Sequence, residues 1–314
     1  MTKEVLVEVD AISRAYGSIR AVNGISFQIR QGEVLGFLGP NGAGKSSTMQ
    51  IVAGTLAPSA GRVRVAGHDL QEQPRAAKRN IGYLPEYPPL YRELTVDEYL
   101  SYCAALHGIA RRERKAARER TKARCGLKDV GHRVIGNLSK GYQQRAGLAQ
   151  AIIHSPPLII LDEPTVGLDP IQIREVRELI RELGREHGVI LSTHILPEVQ
   201  ASCDRVQIIN QGNLVLSDTI DNLAQHLQSR TLVVAFRKPV DPAMLAALPG
   251  VTRVQAETEQ RLRVFHAVDS DPTDAILALV RERDLGLQEI QPAQASLEEI
   301  FLQLTRQDAA AEGA

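Results

Sequence analysis

Short apolar runs broken by turn residues dominate the first ninety positions. "VLVEV" (5–9), "GISFQIR" (24–30), "EVLGFLG" (33–39) and "GRVRVAG" (61–67) read as strands. "NIGYLPEYPPL" (80–90) begins as a strand and breaks at its prolines. From about Thr95 to Ile153 the pattern is helical, with a charge-rich middle, "RRERKAARERTK" (111–122). "PLIILDEP" (157–164) is short and almost wholly apolar, as a parallel strand buried on both faces should be. An amphipathic helix follows "GLDP": Asp169 suits its N-cap, Pro170 its first position, and Ile173, Val176, Ile180 and Leu183 recur at helical spacing. "GVILSTHI" (188–195) is a further buried strand, and "RVQIINQGNLVLS" (205–217) a hairpin turning at "QGN".

Near residue 225 the character shifts. "TLVVAFR" (231–237), "VTRVQAE" (251–257), "RLRVFHAV" (261–268) and "LGLQEIQP" (285–292) read as strands. "PAMLAALPG" (242–250) and "TDAILALVRERD" (273–284) read as helices, so the order is βαββαβ, a ferredoxin-like pattern. A last helix, "SLEEIFLQLT" (296–305), precedes a tail at 306–314 expected to be disordered. The expected domains are residues 1–225, with a helical subdomain at about 88–155, and residues 226–305.

Composition narrows the function classes. The formal net charge is zero across 314 residues, which gives no support for a nucleic-acid binder driven by bulk electrostatics. Cys103, Cys125 and Cys203 fall at no metal-ligand or redox spacing, which fits a reducing cytoplasm. The N-terminus carries acidic residues and no long apolar run, so no signal peptide is expected. No run approaches the length of a bilayer span. Work at a membrane would need another chain to supply the spans.

One motif sets the chemistry. "GPNGAGKSS" (39–47) matches G-x-x-x-x-G-K-[ST] directly after a strand. Its glycines let the backbone curl so that successive N–H groups face a phosphate, and the following helix points its positive end at the same place. Lys45 supplies a point charge to the β- and γ-phosphates, and the Ser46 hydroxyl suits Mg²⁺. "LIILDEP" ends an apolar strand in two adjacent carboxylates. Asp162 can hold Mg²⁺ through its water shell, and Glu163 can take the proton of an attacking water.

Other signals are weaker alone. His194 closes a buried strand, where a lone histidine is ordinarily a satisfied core residue. Tyr16 reads as packing, Glu86 as a solvated loop residue, and the run at 111–122, with seven basic and two acidic residues, as a solvated helix face or a surface for anionic headgroups. In "LSKGYQQR" (138–145), Ser139 fits a helix N-cap.

In that order, "GPNGAGKSS", "LSKGYQQR", "LIILDEPTVGLDP" and "STH" resemble the nucleotide-binding subunit of an ABC transporter over roughly residues 4 to 220. "IGYLPEYPPLY" and the C-terminal region are similar to the drug, polysaccharide and gliding-motility exporter branch. The resemblance implies an α/β fold: a P-loop NTPase core with an antiparallel β subdomain and a helical insert, plus a small ferredoxin-like α+β accessory domain. It implies ATP and Mg²⁺. Tyr16 would stack on adenine, and Gly39, Asn41, Gly42, Gly44, Lys45, Ser46 and Ser47 would form the phosphate loop. Asp162 would serve Mg²⁺, Glu163 the water, and His194 the γ-phosphate. Glu86 stands where the family commonly has Gln, in the loop that senses Mg²⁺, the water and the membrane partner. A carboxylate there accepts hydrogen bonds but donates none. Ser139 and Gly141 would close the ATP of a second subunit, and Asp169 would link the two sites. Lys140 and Tyr142 depart from the common signature, and Lys140 would add positive charge facing the nucleotide. The implied partners are an identical or related ATPase subunit and an integral-membrane permease, with the chain on the cytoplasmic face of the membrane and no nucleic acid.

The alternative is a soluble ABC-type ATPase acting on DNA or ribosomes. One ATP site per chain, no coiled-coil insertion, no zinc cysteines and no basic excess speak against it. A P-loop nucleotide kinase leaves "LSKGYQQR" and "GLDP" unexplained, and a non-hydrolysing ATP-binding module leaves Glu163 unexplained.

Overall fold

A computed structural model describes residues 4–223, 231–267 and 270–292 of the chain. It divides into two compact units, parted between Thr219 and Ile220.

The first unit opens with β1 (Val5–Tyr16) and β2 (Ile19–Arg30), an antiparallel pair. Both run well beyond the predicted 5–9 and 24–30. Their register shifts on each side of Ile12, and Ala11 has φ 46°. These bulges break the period-2 alternation by which a strand is read. After β3 (Val34–Leu38) and α1 (Lys45–Val52) the chain adds β4 (Ala60–Val65) and β5 (His68–Asp69). The sheet order is β2-β1-β4-β5.

The short α2 (Pro74–Lys78) leads to β6 (Ile81–Leu84) and the helical insert. There α3 (Val96–Leu106) starts in a capping box of Thr95 and Glu98. Next are α4 (Arg111–Arg124) and α5 (Lys140–Ile152), with two 3₁₀ turns between them. α4 carries the basic run, but its charges are not all solvated. Lys122, only 6% exposed, pairs with Asp97 Oδ1 of α3 at 2.6 Å, and Arg118 reaches the same carboxylate at 3.4 Å.

The central sheet continues with β7 (Leu158–Asp162), then α6 (Pro170–Glu186), β8 (Gly188–Thr193), α7 (Leu196–Ser202), β9 (Arg205–Asn210) and β10 (Asn213–Thr219). Its order is β10-β9-β3-β8-β7-β6, parallel except for the β9–β10 hairpin. Every residue of β3, β7 and β8 is buried. Alternate residues of β7 serve opposite cores: Leu158 and Ile160 join Leu35, Phe37 and Met49, while Ile159 and Leu161 join Leu100, Leu148 and Leu183. Burial on both faces explains the continuous apolar run. The loops leaving β3, β7 and β8 emerge at the same strand ends, where open α/β sheets bind ligands.

In the second unit, β11 (Thr231–Phe236), α8 (Pro242–Ala246), β12 (Val251–Ala256), β13 (Arg261–His266), α9 (Thr273–Arg283) and β14 (Leu287–Pro292) follow the predicted βαββαβ order. The antiparallel sheet runs β12-β13-β11-β14, with Leu232, Val234, Phe236, Leu262 and Val264 in its core. The expected boundary near 225, the helix at 296–305 and the tail at 306–314 lie outside the described residues.

Candidate active site

The phosphate loop joins buried β3 to α1. Gly42 and Gly44 take φ values of 81° and 102°, which favour glycine. Crowding is a second reason for glycine. A Cβ on Gly39 would collide with the Ile209 carbonyl oxygen of β9, and one on Gly44 with the Ala21 carbonyl oxygen of β2. Asn41 and Gly42 stand exposed, and Ser46 and Ser47 are half-buried on the first turn of α1. Lys45 is 6% exposed, and its ammonium curls back to donate to the Gly39 and Pro40 carbonyls at 2.8 and 3.2 Å. It lies 3.7 Å from Glu163 Oε1. Burial lowers the Lys45 pKa, while the charges of Glu163, Asp162 and Glu86 oppose that shift.

Asp162, at the end of β7, is buried, and its Oδ1 has no hydrogen-bond partner. Burial pushes its pKa up; the Ser192 and Ser46 hydroxyls pull it down, Glu86 adds to the rise, and Lys45 opposes it. An unpartnered buried carboxylate oxygen needs a further group to complete it. With the Ser46 hydroxyl nearby, the donors are hard oxygens of the kind Mg²⁺ takes. Among the described residues no group of three or more His, Cys, Asp or Glu is placed to hold a metal by itself. Mg²⁺ ordinarily fills such a shell with water and substrate phosphates.

Glu163 is 6% exposed and adopts φ 49°. Its N–H donates to the Ser192 carbonyl at 2.9 Å, pinning the turn after β7 to β8. Its Oε2 accepts from His194 Nδ1 at 2.9 Å. Non-glycine residues held at positive φ cost energy and cluster at active sites. His194 does not end the strand as expected: β8 stops at Thr193, and the histidine side chain is 43% exposed. That exposure removes the reading of a satisfied core histidine.

Tyr16 is the last residue of β1; its ring is exposed, with the Arg14 guanidinium 4.9 Å from its centroid. Glu86 is half-buried just past β6, and its charge reaches both Lys45 and Asp162. Ser139 caps α5, its hydroxyl accepting from the Tyr142 N–H at 3.4 Å. Asp169 caps α6, its Oδ1 accepting from the Ile171 and Gln172 N–H groups at 3.0 Å. The end of the Gln172 side chain occupies the place a Cβ on Gly141 would need, and Lys140 likewise fills that place at Gly167. Lys140 therefore folds onto the turn before Asp169. Among the described residues no hydrogen bond or ion pair joins Ser139, Gly141 or Asp169 to Lys45, Asp162 or Glu163.

Two groups near the site escaped sequence reasoning. Ser192 faces Asp162 from β8, and Glu198 of α7 is a buried carboxylate bonded to Thr165 and Thr193. An acidic residue in the first turn of a helix reads as a dipole partner, so Glu198 carried no distinctive signal.

The ABC transporter family model matches residues 22–166. The linearmycin resistance ATP-binding protein LnrL of Bacillus subtilis (strain 168) is 31% identical over 306 residues, which span 96% of this chain and 98% of that protein. A solved ATP-binding subunit of an ABC transporter has a TM-score of 0.65 at 32% identity, covering 70% of this chain and 92% of its own. The dimeric post-hydrolysis structure of the ATP-binding cassette MJ0796, bound to ADP and Pi, shares the fold with a TM-score of 0.62 at 22% identity, over 68% of this chain and 99% of that one. Similarity along nearly the whole of both chains leads where the phosphate loop and its carboxylates lead: this chain belongs to the ABC transporter ATP-binding proteins and hydrolyses ATP as a subunit of such a transporter.

Proposed function

We propose that two ATPase subunits, identical or related, meet head to tail with two ATP molecules between them and drive export through a separate integral-membrane permease. The observation that carries the hydrolytic reading is the chain from buried Lys45 through buried Glu163 to exposed His194, 3.7 and 2.9 Å link by link. Each ATP lies on Gly39, Asn41, Gly42, Gly44, Lys45, Ser46 and Ser47 of one subunit, with Tyr16 against the adenine. Lys45 exchanges its loop carbonyls for the β- and γ-phosphates. Glu163 accepts the proton of the attacking water, and His194 holds that carboxylate in place beside the γ-phosphate. Ser46, Asp162 and Glu86 are the residues that would hold Mg²⁺, which when bound neutralises phosphate charge.

Ser139 and Gly141 of the second subunit close the nucleotide, and Asp169 links the two sites. Support comes from the dimeric state of the MJ0796 cassette and from the missing bonds between these residues and Lys45 within one chain. ATP, being strongly anionic, is attracted by both surfaces, and hydrolysis removes that shared ligand. The permease docks against the insert and the Glu86 loop, where Tyr87 and Leu106 stand 81% and 68% exposed. No helix among the described residues is long and apolar enough to cross a membrane, so the spans belong to the permease. The chain then sits on the cytoplasmic face of the membrane. Residues 1–225 serve as the nucleotide-binding domain and residues 226–305 as an accessory domain. The resistance function in the name of LnrL supports export.

Glu163→Gln tests the mechanism. The variant should bind ATP as wild type does, hydrolyse it at least 100-fold more slowly, and accumulate as an ATP-bound dimer on size exclusion. Turnover at the wild-type rate would remove Glu163 as the base.

A further inference from the structure

We propose that Glu198 is a positioning residue for hydrolysis, tying the turn that carries Glu163 to the turn that carries His194. The proposal rests on the ATPase reading above. Glu198 is only 1% exposed on α7. One of its carboxylate oxygens accepts from the Thr165 hydroxyl, the other from the Thr193 hydroxyl at 2.9 Å. Thr165 lies two residues after Glu163, and Thr193 immediately precedes His194. A single carboxylate therefore grips both catalytic turns from behind.

The grip is directional. Thr193 Oγ1 accepts from the Ile195 N–H at 3.1 Å while giving its own proton to Glu198. Its hydroxyl is thereby oriented, and the turn around His194 is closed on itself. On the other side, the N–H groups of Val166 and Leu168 donate to the carbonyls of Glu163 and Thr165 at 3.3 and 3.2 Å, so a pull on Thr165 reaches the backbone of Glu163. Among the described residues the cation paired with Glu198 is Arg177, whose Nη2 is 3.9 Å from Oε1.

Stability alone gives little reason for this arrangement. Burying a carboxylate costs several kcal/mol, and well-packed apolar residues often replace buried charges without loss. What the carboxylate supplies is geometry: Glu163 sits at a strained φ and must keep its 2.9 Å bond to His194. A displacement of about 1 Å at such a pair costs roughly 100-fold in rate.

The test uses the full chain, with its permease if basal turnover is low. Glu198→Ala should lower kcat at least tenfold and leave KM for ATP within threefold. Glu198→Gln should recover most of the rate, because its amide oxygen accepts from one threonine and its N–H donates to the other. Combining Glu198→Ala with His194→Ala should cost little more than His194→Ala alone, since both act through the same pair. If Glu198→Ala does not fold, Thr193→Val removes one tie at nearly constant volume and should show the same kcat loss with KM retained. The role fails if Glu198→Ala keeps kcat within twofold of wild type, if the losses with His194→Ala multiply, or if KM rises as far as kcat falls. A wild-type chain inert toward ATP would instead overturn the ATPase reading.

Discussion

At the scale of single residues, burial works against the charged form of the groups that matter. Lys45 and Asp162 are pushed toward their neutral forms by burial; the nearby carboxylates oppose the shift at Lys45, and the Ser192 and Ser46 hydroxyls and Lys45 oppose it at Asp162. The same effect acts outside the site. His154 stacks on His107 with ring centroids 3.6 Å apart, and its Nε2–H donates to the Ile81 carbonyl at 3.2 Å. Burial, and then the nearby His107, pushes the His154 pKa down to about 4. The folded value lies below the unfolded one, near 6.5, so the unfolded chain binds the extra proton first. Stability is therefore full above about pH 6.5 and is lost as pH falls toward 4, by on the order of 2–3 kcal/mol. Urea midpoints across that range should show the slope, and His154→Phe should reduce it, leaving the smaller part that His107 and His187 contribute in the same direction. An unchanged slope in the variant would rule His154 out as its source. Residue types at the site were legible from spacing, because a phosphate loop needs Gly, Lys and Ser in fixed positions. The bond from His194 to Glu163 was not legible, since it joins turns 31 positions apart.

At the scale of elements, the reason for a glycine depends on what its neighbours present. Gly39 faces a backbone carbonyl of β9, which cannot move without breaking the central sheet. The atoms nearest a Cβ on Gly141 are the end of the Gln172 side chain on α6, which can swing aside. Gly39→Ala should therefore cost about 1–3 kcal/mol or more, and Gly141→Ala under about 1 kcal/mol, in chemical denaturation. Equal losses would mean that crowding does not set the two positions apart. Helix limits were readable where caps are local: Ser139 and Asp169 both cap as their sequence positions imply. The partners of α4 were not readable, because Lys122 is buried by α3, an element that periodicity cannot place against it.

At the scale of the whole molecule, an active site shared between subunits makes a prediction that a site complete within one chain does not. Ser139→Arg should bind ATP as an isolated subunit yet fail to hydrolyse it, and Lys45→Ala should fail to bind. Mixed together, they form one intact site from the phosphate loop of the first and the Ser139 of the second. The mixture should regain hydrolysis, up to about half the wild-type turnover per mixed dimer. A mixture as inactive as its components would exclude the shared site.

The sequence by itself determined the chemistry and the order of the elements. A phosphate loop requires particular residue types at short spacings, and buried parallel strands require unbroken apolar runs. It also determined the βαββαβ order of the second unit, through its alternating strand and helix periods. Only the tertiary structure decided how far β1 and β2 run, that His194 stands exposed against Glu163, that Asp162 keeps an unpartnered oxygen, and that Glu198 bonds both Thr165 and Thr193. Those features depend on contacts between segments distant along the chain, and local pattern carries no record of them.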